Sequence, residues 1–181
     1  MNHAYPCGTR ALDFLGTLRA RRNPAPTEML ASPELLHSWF VESGMLDDGP
    51  DADQADLEAA VELRESIYSL VEARLAGRSL PADAVGVVNR RAADAPIEVQ
   101  LGADGTRRSG SAVQGLATVA REAVEILGGT DAALLRECGR PECTQVYLDR
   151  SRGRRREWCA MRTCGNRVKV SAYRSRHRTV P

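Results

Sequence analysis

Apolar residues return every three or four positions through much of the chain, which is the spacing of one face of an α-helix. The longest such pattern covers residues 54–76, and Gly77 after it is a natural helix end. A second helix is predicted over residues 32–44, where a serine and a proline form a typical start. A third follows Pro81, and a fourth covers Ser111–Leu127, ahead of two glycines. The pattern therefore predicts a mostly helical region.

A different periodicity marks residues 97–101, where apolar and polar residues alternate strictly. A glycine-containing loop at 102–105 and a polar run at 106–109 follow, so this segment is predicted to form a β-hairpin. Residues 9–18 fit either a short buried strand or the first turn of a helix. The sequence alone leaves that choice open.

One charged residue, Arg64, lies inside the apolar stripe of the longest predicted helix. Burying an unpaired charge is costly, so its guanidinium needs a partner. Two interpretations fit. Arg64 forms an internal salt bridge or reaches past the core edge, or it binds an anionic ligand in a pocket.

Composition narrows the class of protein. The chain has 181 residues, of which 43% are apolar and 27% charged, so it is long and apolar enough to bury a core. This mixture excludes collagen, wholesale disorder and a membrane protein. Neither a secretory signal nor a transmembrane stretch is visible, and we therefore expect a cytoplasmic protein.

The charges are unevenly distributed, although the whole chain has a formal net charge of only +1. Residues 136–181 hold thirteen Arg and Lys but only four Asp and Glu, a net charge of +9. Residues 1–135 hold twelve basic and twenty acidic residues, a net charge of −8. This asymmetry predicts a basic module attached to an acidic domain, so the near-neutral total does not argue against a nucleic-acid partner.

Four of the five cysteines lie in the basic module, spaced as Cys138-x4-Cys143-x15-Cys159-x4-Cys164. Two cysteine pairs separated by a medium loop supply the four thiolates of a tetrahedral Zn²⁺ site, and four protein ligands make such a zinc structural. Two disulfides or four free thiols are the alternatives. A reducing compartment disfavours the disulfides, and the paired spacing favours metal binding over free thiols.

The segments around the cysteines suggest how the zinc module folds. Gln145–Leu148 is a candidate strand, Arg156–Trp158 a candidate returning strand, and a helix is predicted after Cys159. A knuckle, a hairpin and a helix that carries the last ligands form a treble-clef finger.

Basic side chains then form a candidate nucleic-acid interface. On the last predicted helix, Arg167, Arg174 and Arg178 share one face. Lys169 and Arg176 flank that face, and Arg152, Arg154, Arg155 and Arg156 lie in the preceding loop. A helix held by zinc suits the major groove, while loop arginines suit phosphates. A solvated tail, or one that docks on the acidic domain, is the alternative.

The zinc module also carries a family signature. Cys138-x4-Cys143, the Tyr147–Arg152 and Arg155–Met161 stretches and Cys164-Gly-Asn-Arg167 closely resemble the CGNR zinc finger family. Proteins of that family pair the finger with an N-terminal ABATE domain, which the first 135 residues resemble more weakly. The resemblance implies an α+β protein, with a mostly helical ABATE-like domain at 1–133 that has a small β-hairpin, and a treble-clef finger at 134–181.

The resemblance implies a DNA-binding bacterial transcription regulator that holds one structural Zn²⁺ and senses a small-molecule effector. Arg64 and Thr17 are the ligand-binding candidates. The family has Val-Asn-Thr where this chain has Leu15-Gly16-Thr17, so a polar contact of that asparagine is missing here.

No catalytic motif is visible, so we expect no enzymatic activity. Two other functions remain open, a zinc-stabilised protein-interaction module and a protein that sequesters a small molecule. A homodimer is also considered, because DNA-binding proteins often match two half-sites.

Overall fold

The longest predicted helix is present and has well-defined ends. A computed structural model describes residues 7–177, in which α3 covers Gln54–Leu75. Asp53 caps it through a capping box with Asp56, since each side chain accepts a hydrogen bond from the other's backbone N–H. Gly77 has a φ of +63°, the left-handed conformation that ends helices.

The three other helices predicted for the N-terminal region, at residues 32–44, after Pro81 and at Ser111–Leu127, are confirmed. The described helices before the zinc module are α1 (Arg10–Leu15), α2 (Pro33–Glu42), α4 (Ala82–Ala93) and α5 (Ala112–Gly128). Helix α5 lies at the centre and packs against α1, α3 and α4. Its Gly115 lies under Phe40, where an added Cβ would come within 2.4 Å of the ring, so the Phe40 ring packs against α5 only with glycine there.

Residues 9–18, which the sequence left open, contain both kinds of structure. Thr9 caps α1 by accepting a hydrogen bond from the Leu12 N–H at 3.3 Å. A two-residue strand, β1 (Leu18–Arg19), then pairs antiparallel with β2 (Thr27–Glu28).

The hairpin predicted from residues 97–109 is confirmed as β3 (Glu98–Gly102) and β4 (Gly105–Ser109). Its alternation does not bury a face, however, because Val99 is 61% exposed and Leu101 is 90% exposed. The hairpin extends beyond the core, and Asp47 accepts a hydrogen bond from the Arg108 backbone N–H at its base.

The strands of the zinc module differ from the prediction. Strand β5 (Leu135–Glu137) follows a 3-10 turn and pairs with β6 (Val146–Leu148). The prediction that Arg156–Trp158 forms the returning strand is wrong, because β5 already occupies the place beside β6. Helix α6 (Asn166–His177) begins after a π-type turn at Met161–Gly165 rather than at Ala160. The architecture is α+β, as expected, and within residues 7–177 no helix is both long and apolar enough to cross a membrane.

Asp13 is a buried acid in α1, and its oxygen accepts a hydrogen bond from the Cys7 backbone N–H at 3.0 Å. Burial raises the pKa of Asp13 to about 6 from an ordinary value of 3.8. The folded protein therefore binds more protons than the unfolded chain between these values, and its stability falls as the pH rises through them.

We predict that Asp13→Asn stabilises the protein above pH 6 by about 3 kcal/mol, because asparagine keeps the acceptor oxygen and removes the buried charge. Urea unfolding of both proteins between pH 5 and 8 measures the difference, which should grow with pH. Asp104→Asn, in the exposed hairpin loop, is the control and should change little. A difference between wild type and Asp13→Asn that does not vary with pH would contradict the prediction.

Candidate metal centre and nucleic-acid interface

The first cysteine pair lies in the turn between β5 and β6. The Cys138 N–H donates to the Gln145 carbonyl at 2.9 Å, and the Cys143 N–H donates to the Arg140 carbonyl at 2.8 Å, so both ends of the turn are fixed. The Gly139 N–H donates to the Glu157 carbonyl at 2.8 Å. This last bond brings the segment before Cys159 against the knuckle.

The four sulfurs form a compact cluster, which confirms the predicted metal site. All four Sγ atoms lie within 4.8 Å of one another. Cys159 Sγ lies 3.9 Å from Cys143 Sγ and 3.6 Å from Cys164 Sγ. Zinc–sulfur bonds of about 2.3 Å in a tetrahedron place sulfurs about 3.8 Å apart. The cluster therefore fits one structural zinc ion, and the cysteines form no disulfide.

Hydrogen bonding and burial shift the pKa values of the clustered thiols. A hydrogen bond from the Cys159 thiol lowers the pKa of Cys143 to about 5, and burial raises the pKa of Cys138. Four adjacent thiolates repel one another, and a divalent cation offsets that repulsion. With Zn²⁺ the four thiolates would keep a net charge of −2.

Arg140, which the sequence reasoning did not select, interacts with this charge. Its guanidinium donates to Cys164 Sγ at 3.6 Å and to the Glu142 carboxylate at 3.1 Å. Such outer contacts orient and tune metal ligands. The sequence signal that could have identified Arg140 is its position between Cys138 and Cys143.

Arg156 is placed inside the finger instead of on the predicted interface. Its guanidinium stacks 4.3 Å from the centre of the Tyr147 ring and donates to the carbonyls of Trp158 and Cys159. The Tyr147 hydroxyl donates to the Arg156 carbonyl at 2.5 Å. Arg156 therefore supports the metal site from within.

The other predicted basic contacts are exposed where the structure describes them. Helix α6 packs against the π-type turn, and along its length most described side chains face solvent. Of the predicted contacts, those that are exposed are Arg152, Arg154, Arg155, Arg167, Lys169 and Arg174. The side chain of Arg176 and the whole of Arg178 lie outside the described residues. Among the described elements, α6 contacts mainly the π-type turn of the finger and is not packed along the helices of the acidic domain.

Arg64 has the partners of an internal salt bridge. It is 2% exposed, and its two terminal nitrogens donate to the Glu28 carboxylate at 2.7 Å each. Its Nε donates to Glu65 at 2.8 Å, and one terminal nitrogen also donates to Thr17 Oγ1 at 3.2 Å. The structure thus brings together Arg64 and Thr17, but in a network with two carboxylates. This geometry matches the first interpretation, and the ligand-binding role stays a prediction.

The finger is joined to the N-terminal domain by polar contacts. Gln145 donates to the Cys7 sulfur at 2.9 Å and fills the space beside Gly16, where an added Cβ would lie 2.4 Å from its amide. Glu137 accepts a hydrogen bond from Arg22 at 2.8 Å across the same junction. Gly16, where the family has asparagine, therefore leaves space for the side chain of Gln145.

Two family models match the chain. A model named ABATE, described as a putative stress-induced transcription regulator, matches residues 8–130. A CGNR zinc finger model matches residues 135–177. Comparison with curated proteins gave no match.

Proposed function

The chain belongs to the ABATE family and carries a CGNR zinc finger, and from this premise we propose that it is a transcription regulator that binds duplex DNA through α6. The main support for the proposal is that α6 is held at one end and exposed along its length. Cys164 holds the chain at the turn just before the helix, and the helix beyond it is exposed. A basic helix fixed at one end and free along its length can enter a major groove.

The charges of α6 and its neighbouring loop support the same proposal. Arg167, Lys169 and Arg174 are exposed on a helix whose described residues include no acid. In the loop before the second cysteine pair, Arg154 has a φ of +51°, a conformation that costs energy for any residue but glycine. This loop adds positive charge beside α6, which suits contacts to phosphates.

The remaining parts of the proposal rest on the sequence. We propose a cytoplasmic regulator without enzymatic activity. A small-molecule effector and a homodimer stay predictions, and any effector at Arg64 would have to displace the Glu28 carboxylate. An acidic protein partner for α6 is the competing function, and it would share the charge complementarity but not the groove contacts.

We predict that Arg167→Ala combined with Arg174→Ala weakens binding to a random-sequence duplex at least tenfold at low salt. Each lost phosphate contact also reduces the slope of log affinity against log salt by about 0.9. Fluorescence anisotropy of a labelled 20-base-pair duplex, repeated at several salt concentrations, measures both quantities.

The matched control is Arg78→Ala with Arg90→Ala, which removes the same charge from exposed positions of the N-terminal domain. This control should retain nearly all of the affinity. Equal loss in both double variants would indicate a non-specific charge effect. Absence of DNA binding by the zinc-loaded wild type at low salt would reject the proposed function.

A further inference from the structure

The hairpin of β3 and β4 leaves two apolar side chains uncovered. Val99 and Leu101 are the two most exposed large apolar residues in the described part of the chain, and alternation along β3 places them on the same face. We propose that β3 pairs antiparallel with β3 of a second copy of this chain, about a two-fold axis at Gln100. The inference gives the homodimer considered above a specific interface, and it does not depend on DNA binding.

Backbone hydrogen bonds show which edge of the hairpin is open. Residues of an antiparallel strand alternately bond to the neighbouring strand and point their N–H and C=O groups outward. Arg108 points outward from β4, because its N–H donates to the Asp47 carboxylate at 2.7 Å and its carbonyl accepts from the Asp47 N–H at 3.1 Å. Its partner Val99 therefore points outward from β3, as does Leu101 two residues later. Asp47 thus occupies part of the β4 edge, whereas no described residue bonds to these groups of β3.

A two-fold axis at Gln100 makes the β3 edge self-complementary. In this register Val99 of each copy lies opposite Leu101 of the other. The outward N–H and C=O groups of each opposed pair can then exchange two hydrogen bonds, as paired residues of an antiparallel ladder do. Directly opposed side chains have Cβ atoms about 5 Å apart, so each valine packs against a leucine. The pairing therefore satisfies the open edge and covers both exposed apolar side chains.

The charges of the hairpin favour pairing through β3 over pairing through β4. Arg107 and Arg108 are adjacent in β4, and an antiparallel pairing of two β4 strands would bring like charges together, which is destabilising. When β3 pairs with β3, the arginines lie on the two outer strands. The two copies of Arg107 are then three strand spacings apart, about 14 Å. The outer edges keep Asp47 and their arginines, so the assembly closes at two chains.

The association of the full-length zinc-loaded protein, without DNA, tests the interface. Sedimentation equilibrium should show a wild type that changes from two chains to one on dilution, because such a small interface is weak. Val99→Lys and Leu101→Glu should each weaken association about tenfold or more, since each places a charge in the apolar contact. Thr106→Glu is the matched control, because Thr106 is exposed and lies beside Leu101 on β4, away from the junction. This control should associate as the wild type does.

Mixing the two charged variants tests the register itself. In a mixed dimer, Lys at position 99 of one copy faces Glu at position 101 of the other, and the second opposed pair stays native. The mixture of Val99→Lys and Leu101→Glu should therefore associate more tightly than either variant alone. The melting temperatures of the dilute variants should stay near that of the wild type, because both side chains are exposed in the single chain.

Four results would overturn the inference. The first is a wild type that stays a single chain up to about 1 mM, where even weak pairs form. The second is a dimer that Leu101→Glu weakens no more than Thr106→Glu, because the interface then lies elsewhere. The third is a mixture of the charged variants that associates no better than each alone. The fourth is a single-chain wild type whose duplex binding is weakened by Leu101→Glu, which would assign the hairpin to DNA. Absence of DNA binding by a wild type that dimerises through β3 would reject the proposed function alone.

Discussion

Removal of the zinc is expected to unfold the finger and to abolish DNA binding. Strands β5 and β6 have three residues each, and α6 packs mainly against the turn that carries Cys164. Outside these two strands the finger buries few apolar side chains, so we expect the metal to hold the cysteine turns and α6 in place. Structural zinc sites contribute about 10–16 kcal/mol of binding free energy near neutral pH, which is folding free energy where the site forms only on folding.

The replacement Cys159→Ser tests this expectation without a chelator. We expect one zinc per wild-type chain by metal analysis and none in the variant, together with a lower melting temperature and no measurable binding to the duplex. Cys7→Ser is the matched control, because Cys7 is buried but lies outside the sulfur cluster. A Cys159→Ser protein that keeps its zinc and its melting temperature would refute the structural role.

The loss of zinc should also destabilise the N-terminal domain. Leu135, Val146, Tyr147 and Leu148 are buried in the same apolar core as the helices. Strand β5 contacts α3 and β6 contacts α1. We therefore expect the finger and the N-terminal domain to unfold in one transition when zinc is bound, since a shared core couples them.

The zinc site could be predicted from the sequence because its information is local. The spacing of Cys138, Cys143, Cys159 and Cys164 fixes both the ligands and the metal class. The strand that pairs with β6 could not be predicted in the same way. Leu135–Glu137 precedes the first cysteine and has no strong alternation, whereas Arg156–Trp158 lies where a treble clef would place a strand.

The sequence also could not predict which individual arginines are exposed and which have structural contacts. The sequence pattern placed Arg155 and Arg156 in the same nucleic-acid interface. In the structure Arg156 stacks on Tyr147, whereas Arg155 is exposed. Tertiary contacts between distant segments, which periodicity does not encode, separate structural arginines from available ones.

The partner of Arg64 could not be predicted from the sequence around it. The apolar stripe identified the need for a partner, but Glu28 lies 36 residues earlier in the chain. The two acids of the network are partly exposed, with 34% of the Glu28 side chain and 44% of the Glu65 side chain accessible, while Arg64 is buried. The members of the network therefore differ in how well water can replace a lost partner.

This difference predicts unequal effects of removing each partner. Glu28→Ala should destabilise the protein by roughly 3 kcal/mol, because it leaves a buried guanidinium without its two-pronged partner. Arg64→Met should cost only about 1 kcal/mol, because methionine fills the apolar site and both carboxylates can turn to solvent. Urea unfolding at pH 7 measures both variants, and a larger loss for Arg64→Met would contradict the argument.

A folded Arg64→Met protein also decides between the two interpretations of this residue. If Arg64 binds an anionic effector, small carboxylates or phosphates that raise the melting temperature of the wild type should no longer do so in this variant, because a ligand stabilises only the state that binds it. If Arg64 serves only the salt bridge, the two proteins should shift equally. The comparison works because methionine removes the charge while leaving the apolar contacts of α3 in place.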